Sequence, residues 1–119
     1  MVTVDHARRV ALSVPGTTEH LIDPVKFWVK QLVYVAFSRD ETLMGFGFPQ
    51  EQRPVLVESE PHKFLLPPVA DMRYNWVEVR VAVLDIDEMT ELVTDAWTMV
   101  VPKYVVREHL SRQGEGQAE

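Results

Sequence analysis

Apolar and polar residues alternate most regularly between residues 64 and 100, and we expect the rest of the chain to cover or extend this stretch. The pattern predicts a short strand at 64–66, a loop at 67–75, a long strand at 76–84 and an amphipathic helix at 86–100. Valine occupies every second position of the long strand from Val77 to Val83, which indicates one buried face and one wetter face.

The helix at 86–100 carries its own start and stop signals. Asp85 is suited to cap its first turn, and Glu88, three residues later, completes a capping-box-like pair. Pro102 cannot continue the helix and biases the residue before it toward an extended conformation. One stripe at helical spacing is apolar and is expected to pack in the core: Met89, Leu92, Val93, Ala96, Trp97 and Val100.

The N-terminal half predicts one helix followed by a three-stranded meander. Thr3 can cap a helix that runs to about Ser13, where Pro15 and Gly16 end it. Residues 17–24 read as a loop. Alternating residues then predict strands at 25–30, 33–38 and 42–48. Gly45 and Gly47 weaken the third strand and indicate a bulge or the close packing of another element.

The remaining segments predict short helices. Residues 50–59 have a helical composition, with Pro54 admissible near a first turn. A short final helix is expected at 104–110, followed by a frayed tail at 111–119. We therefore expect a single α+β domain over residues 1–119, with its ordered core at about 3–110.

The composition of the chain excludes several kinds of site. The chain has 119 residues and a hydrophobic fraction of 46%, enough for a core of its own. It has no cysteine, which excludes disulfides and thiolate metal sites, and its four histidines lack ligand spacing. We predict no metal and no cofactor. No apolar run has the length of a membrane span and no signal-peptide pattern is seen, so a soluble, cytoplasmic protein is expected.

The charge of −6 is unevenly placed. Five acidic residues lie between Asp85 and Asp95, with no basic residue before Pro102, so the rest of the chain carries a charge of about −1. An acidic total argues against strong nonspecific binding of nucleic acid, because phosphate contacts supply most of that affinity. It leaves room for one locally basic face.

No catalytic motif is present. Gly45-Phe46-Gly47 has the Gly-x-Gly spacing, but a dinucleotide fingerprint needs a third glycine where Gln50 stands. There is no P-loop and no Gly-x-Ser-x-Gly, and no pattern pairs a nucleophile with a base. We predict no catalytic residues.

One group of aromatic and basic residues is predicted to share a face of the sheet. If the valine face of the long strand packs on helices, the alternating residues of that strand and of the meander face outward. Two tryptophans, one tyrosine and three cations would then share one sheet face, able to stack bases and neutralise phosphates: Lys26, Trp28, Lys30, Tyr34, Trp76 and Arg80. The same face would serve equally well as a homodimer interface or as a surface with cation–π contacts.

The chain resembles the MmcQ/YjbR family of small bacterial proteins. The matching segments, spread from Val4 to about His109, are residues 11–17, 64–68, 75–79, 87–92, 96–97 and 101–103. The resemblance implies a fold similar to type III secretion chaperones, an antiparallel sheet packed by helices on one face, and a DNA-binding role proposed from a double wing of hairpins. Two positions depart from the family: Lys30-Gln31-Leu32 lacks the glycine of the usual Gly-Lys turn, and Ala96-Trp97 replaces a common Ser-Tyr.

These observations together predict a non-enzymatic binding module. DNA, bound weakly and in a salt-sensitive way, is the expected partner. The alternative is a protein-interaction or chaperone-like module, and a small-molecule binder or an enzyme comes third.

Overall fold

An antiparallel sheet forms the centre of the computed structural model, which describes residues 2–20 and 24–117, with side chains described as far as residue 112. The strands of the described residues are β1 (Thr17–His20), β2 (Lys26–Val29), β3 (Leu32–Phe37), β4 (Leu43–Gly47), β5 (Phe64–Leu65) and β6 (Trp76–Arg80). The helices are α1 (Val4–Ser13), α2 (Arg53–Ser59), α3 (Ile86–Thr98) and α4 (Lys103–Gln117), with 3-10 turns at Gln50–Gln52, Val69–Asp71 and Val81–Val83. The α+β fold expected from the sequence is confirmed.

The strand order is β1-β2-β3-β4-β6-β5, and every neighbouring pair is antiparallel. The first four strands follow one another along the chain, as the predicted meander requires. The last strand then enters between β4 and β5, pairing Val79 with Met44 on one side and with Phe64 on the other. A central position suits this strand because its valines are buried.

Two helices cover one face of the sheet, called here the inner face. Helices α1 and α3 pack against each other, and α3 also contacts β3 and β4. Most of the predicted stripe is buried, with Met89, Val93, Ala96 and Trp97 fully enclosed. Leu92 and Val100 are partly buried, and Val100 follows the end of α3. The indole nitrogen of Trp97 donates to the carbonyl of Pro15 at 2.9 Å, which joins α3 to the end of α1.

The predicted helix starts are confirmed. The carboxylate of Asp85 accepts a hydrogen bond of 2.8 Å from the Glu88 amide, which satisfies one orphan donor of α3. At the start of α1, the Thr3 amide donates to Nδ1 of His6 at 2.9 Å. Residues 53–59 form the short helix α2, and Pro54 lies in its first turn.

Several predicted bounds were wrong, including the end of the helix predicted at 86–100, which ends at Thr98. The strand expected at 76–84 ends at Arg80, because its partner strand begins at Leu43 and leaves the following residues to form a 3-10 turn. Within the predicted loop 17–24, β-branched threonines instead form β1. Residues 21–23 of that loop lie outside the described residues.

The final helix is also longer than expected, since α4 reaches Gln117 instead of ending near residue 110. No proline lies between residues 103 and 117, and glycine at 114 and 116 lowers helix propensity without ending the helix. Of the helices within residues 2–20 and 24–117, none combines the length and the apolar character that crossing a bilayer requires.

Candidate binding groove on the outer sheet face

The sheet face opposite α1 and α3, called here the outer face, carries most of the predicted site residues. Lys26, Trp28 and Trp76 are half-buried on it, while Lys30 and Arg80 are exposed at strand ends. The ring of His20 lies against the Trp28 indole with centroids 5.3 Å apart. The outward register predicted for β2 and β6 therefore holds for Lys26, Trp28, Trp76 and Arg80, while Lys30 is an exposed turn residue.

Tyr34 was predicted to face outward, and this was wrong. A β-bulge lies between β2 and β3, where Phe27 pairs with Val35 but the next residue, Trp28, pairs with Val33. Tyr34 is the extra residue, so its side chain turns inward and is fully buried. Its hydroxyl lies 2.7 Å from the hydroxyl of Thr17, and burial raises the pKa of Tyr34 to about 12, an effect that the Thr17 hydrogen bond partly offsets.

The cations do not converge. Lys30 lies at the turn after β2, beyond the end of the sheet where Gly47 pairs with Trp76. Arg80 lies at the opposite end, on the far side of β4, where it pairs with Leu43. Strand spacing places the two backbones on the order of 20 Å apart. Lys26 stands between them and belongs to neither end.

The outer face instead forms a groove, called here the outer groove, of about 470 Å³. A row of paired residues crosses its floor, from Lys26 through Ala36 and Gly45 to Glu78. Of the two middle residues, Ala36 forms a low floor, whereas Gly45 is buried beneath the Trp76 indole, so the open space lies above Ala36. The lining is completed by Val33, Phe37, Ser38, Asp71, Tyr74, Asn75 and Trp76.

Gly45 makes one wall of this groove possible. A Cβ atom at this position would lie 2.6 Å from Nε1 of the Trp76 indole and 2.7 Å from two of its carbon atoms. No side chain other than that of glycine lets the indole lie so close to the sheet. The glycine predicted to mark close packing does so, and the packed element is an aromatic side chain that borders the outer groove.

The charges of the outer groove are divided between its walls. Lys26 lies on one side, and Glu78 and Asp71 lie on the other. Burial raises the pKa of the Glu78 carboxyl, and the negative charge of Asp71 raises it further. Within the described residues, no ion pair includes Glu78 or Lys26.

A buried arginine holds the loop that continues the wall formed by Trp76. Arg53 of α2 is 5% exposed, and its guanidinium donates to three backbone carbonyls of the loop, those of Met72 (2.8 Å), Tyr74 (3.1 Å) and Trp76 (3.0 Å). The side chain of Asn75 adds a fourth link by accepting a 3.1 Å hydrogen bond from the Gln50 amide. The wall is thereby fixed from behind, through its backbone.

The polar groups of the outer groove suit binding better than nucleophilic chemistry. The Ser38 hydroxyl donates to Asp40 at 2.7 Å and accepts from the Leu43 amide at 3.1 Å, so it is occupied in the turn before β4. Among the described side chains, no three histidine, aspartate or glutamate residues converge as metal ligands. What remains is an open space with aromatic, cationic and anionic walls.

Sequence reasoning missed Asp71, Tyr74 and Arg53. Asp71 and Tyr74 lie in a loop, where the sequence has no periodic pattern of apolar residues. Arg53 is a single arginine beside Pro54, and nothing in the sequence around it indicates that its side chain is buried. The signal that could have located the outer groove is the outward register of Ala36 next to Gly45, two small residues on adjacent strands.

Lys63 is a second buried cation that the sequence did not reveal. Its ammonium pairs with Glu88 and lies 3.7 Å from a carboxylate oxygen of Glu60. Burial disfavours its charge, but the hydrogen bond and charge of Glu88, together with the charges of Glu60 and Asp85, outweigh burial and raise the pKa of Lys63. The pair ties the segment before β5 to the start of α3, away from the outer groove.

Comparison with known proteins supports the fold. No protein-family model and no curated protein matches this chain. Among solved structures, the crystal structure of Deinococcus radiodurans protein DR2400, described as a DUF419 domain, is similar with a TM-score of 0.69. The match covers 91% of this chain and 88% of that one at 19% sequence identity. At this identity the likeness establishes a shared fold and nothing about shared activity.

Proposed function

We propose that this protein is a non-enzymatic binding module and that the outer groove is its ligand site. The observation that carries the proposal is the row Lys26–Ala36–Gly45–Glu78, in which Ala36 leaves a depression between Lys26 and the Trp76 indole that lies over Gly45. The volume of about 470 Å³ lies within the range of roughly 300–1,000 Å³ that is usual for small-ligand sites.

The walls favour a built site over an accidental depression. The Trp76 indole is held against Gly45, and Arg53 fixes the carbonyls of the loop that carries Tyr74. Preorganised walls reduce the ordering cost of binding, because the side chains and loop need not be immobilised when a ligand arrives.

A groove-filling variant tests this proposal without assuming a ligand. Ala36→Phe places a ring over the floor, on the side of the sheet away from the core, and Ala82→Phe adds the same ring at an exposed position in the turn after β6. A library of small metabolites is screened by amide chemical-shift mapping against both variants and the wild type.

We expect compounds that shift the amides of β3, β4 and β6 in the wild type and in Ala82→Phe. These shifts should be lost in Ala36→Phe. If no compound shifts these strands, or if Ala36→Phe binds the same compounds equally well, the outer groove is not the ligand site.

Nucleic acid is a second candidate ligand, favoured by strand β2. Lys26 and Trp28 are neighbours on the outer face and Lys30 follows at the turn, so two cations flank an indole that is able to stack on a base. Asp71 and Glu78 would repel a phosphate backbone that crossed the outer groove, so contact along β2 gives modest affinity, on the order of 10⁻⁴–10⁻⁶ M at physiological salt.

Fluorescence anisotropy with labelled duplex and single strands at low salt measures this binding. The triple change of Lys26, Lys30 and Arg80 to Glu should abolish it. A control triple changes Arg9, Lys103 and Arg107 to Glu, which alters the net charge equally at exposed positions on α1 and α4. Equal loss in both triples, or no binding by the wild type, would leave nucleic acid without support and favour a protein partner or a second copy of the chain on this face.

The resemblance to the MmcQ/YjbR family and a cytoplasmic location belong to the same proposal. The order of the matching segments and the α+β fold support the family assignment. A profile built from sequences closely related to this chain provides the test, and it should align with that family along residues 4–109.

A further inference from the structure

We infer that the outer groove recognises a small organic cation, meaning a primary ammonium or guanidinium group carried on a flat or apolar body. This inference rests on the proposed binding function of the outer groove and adds the chemical class of its ligand. It follows from three properties of the lining: a low apolar floor, an aromatic wall, and an excess of negative charge beside that wall.

The floor and the wall suit a flat or apolar body. Ala36 leaves room above β3, and Val33, which is partly exposed, adds apolar surface beside it. The Trp76 indole and the Tyr74 ring stand along the opposite side. Aromatic rings attract cations as well as apolar groups, because their faces carry negative electrostatic potential.

The ring of Tyr74 already contacts a cation. The guanidinium carbon of Arg73 lies 4.9 Å from the centroid of its ring. This contact occupies one cation and steadies the exposed ring at the edge of the outer groove. Trp76 has no such partner among the described residues.

The charges favour a cation over an anion. Glu78 and Asp71 lie on the aromatic side and outnumber Lys26 on the other wall. Glu78 is half-buried, so water screens its carboxylate less than it would screen one at the surface. A ligand ammonium placed between Trp76 and Glu78 would relieve the repulsion between the two carboxylates and gain a charge-assisted hydrogen bond.

A free small molecule fits this site better than a long chain. The space is closed on one side by the loop at 72–76, which the links to Arg53 and Gln50 hold in place. A lysine side chain of another protein carries the same ammonium, and the experiment separates the two sources.

The test compares 2-phenylethylammonium with 2-phenylethanol, which has the same body without the charge, and with phenylacetate, which reverses the charge. Affinities are measured by calorimetry on the wild type, on Glu78→Gln, and on Glu91→Gln as a control at an exposed position of α3. We expect the ammonium to bind the wild type roughly tenfold or more tightly than the alcohol, because a hydrogen bond to a charged group contributes that much.

Glu78→Gln should reduce this ratio to below about threefold, and Glu91→Gln should leave it unchanged. The inference is overturned if the alcohol or phenylacetate binds as tightly as the ammonium, or if Glu78→Gln keeps the full preference. It is also overturned if a lysine-containing peptide binds more tightly than any free amine tested.

Rejection of the cation as ligand can be distinguished from rejection of the outer groove as a ligand site. A neutral or anionic compound that binds the wild type but not Ala36→Phe would uphold the outer groove as a ligand site and reject the cation. Absence of any compound whose binding depends on Ala36 would reject both.

Discussion

At the scale of single residues, the informative side chains are polar groups that turn inward. Tyr34, Arg53 and Lys63 are buried, and each has a hydrogen-bond partner that offsets the cost of leaving water. None of the three could be assigned to the interior from the sequence. Alternation predicts which way a strand side chain faces only where the strand has no bulge, and Tyr34 lies at a bulge. Arg53 and Lys63 are single cations that belong to no periodic pattern.

Tyr34 should make stability depend on alkaline pH. Its pKa is raised from the ordinary value of 10.0 to about 12 in the folded protein. The stabilisation that the protonated Tyr34 hydroxyl gives to the fold is therefore fully present below about pH 10. It is lost as the pH rises toward 12, because the hydroxyl loses its proton in the unfolded chain before it does so in the folded protein. Urea melts between pH 9 and 12 should show a steeper loss for the wild type than for Tyr34→Phe. Parallel curves would contradict the burial of this hydroxyl.

Arg53 should matter for both stability and the outer groove. Arg53→Lys keeps the charge but cannot reach three carbonyls in a fork, so we expect a loss of roughly 2–3 kcal/mol in the free energy of unfolding. The emission of Trp76 should also change as the loop loosens. Arg107→Lys, at an exposed position of α4, is the control and should stay within about 0.5 kcal/mol of the wild type. A similar result for both variants would mean that Arg53 does not hold the loop.

At the scale of elements, the predictions that succeeded rest on strong local signals. The Asp85 cap and the apolar stripe define α3. The polar residues Arg39–Glu41 define the second turn of the meander, while the first turn, expected at Gln31-Leu32, lies one residue earlier at Lys30-Gln31. The bulge in β3 had no such signal, since Tyr34 and Val33 are both acceptable on either face of a strand. The end of β6 depended on where its partner strand begins, which lies more than thirty residues earlier in the chain.

Replacing Trp97 with Ala should destabilise the fold by about 3–5 kcal/mol. The side chain is 0% exposed between α1 and the sheet, and its removal also leaves the Pro15 carbonyl without its donor. Urea melts measure the loss. Trp97→Phe should lose less because it leaves a smaller cavity. A loss below about 1 kcal/mol for Trp97→Ala would contradict a buried stripe on α3.

The turn after β2 should be improved by glycine. Lys30 has a φ of 56°, a left-handed conformation that costs a residue with a side chain about 1–2 kcal/mol. Lys30→Gly should therefore stabilise the protein by roughly 0.5–1 kcal/mol after allowing for the greater freedom of glycine in the unfolded chain. Gln31→Gly, at the neighbouring position, should destabilise it. Thermal melts of both variants measure whether the left-handed conformation of Lys30 strains the turn.

At the scale of the whole molecule, the sheet separates two surfaces of different character. The inner face is covered by α1 and α3, and the acidic residues of α3 lie on that side. The outer face carries aromatic and charged side chains and the outer groove. The sequence predicted this division, but the outer groove depends on β6 lying beside β4, and alternation identifies strands without identifying their neighbours.

The proposed binding function predicts that the protein does not turn over substrates. We expect no hydrolysis above blank on a panel of generic esters and phosphoesters, because the Ser38 hydroxyl in the outer groove is engaged by Asp40. Assays on protein purified without chelators, before and after adding divalent metals, provide the measurement. Turnover that disappears in Glu78→Gln would instead identify the carboxyl group as catalytic.

The hydrogen bonds from Arg53 to the loop determine which loop positions can be substituted during evolution. Its three hydrogen bonds end on backbone carbonyls, so they persist whatever side chains the loop carries. Positions 71, 73 and 74 can therefore be substituted while the loop keeps its shape, whereas Asn75 is tied to Gln50 through its own side chain. Relatives built on the same frame could diverge in specificity at these three positions alone, and a library randomised there offers a compact scaffold for engineered recognition.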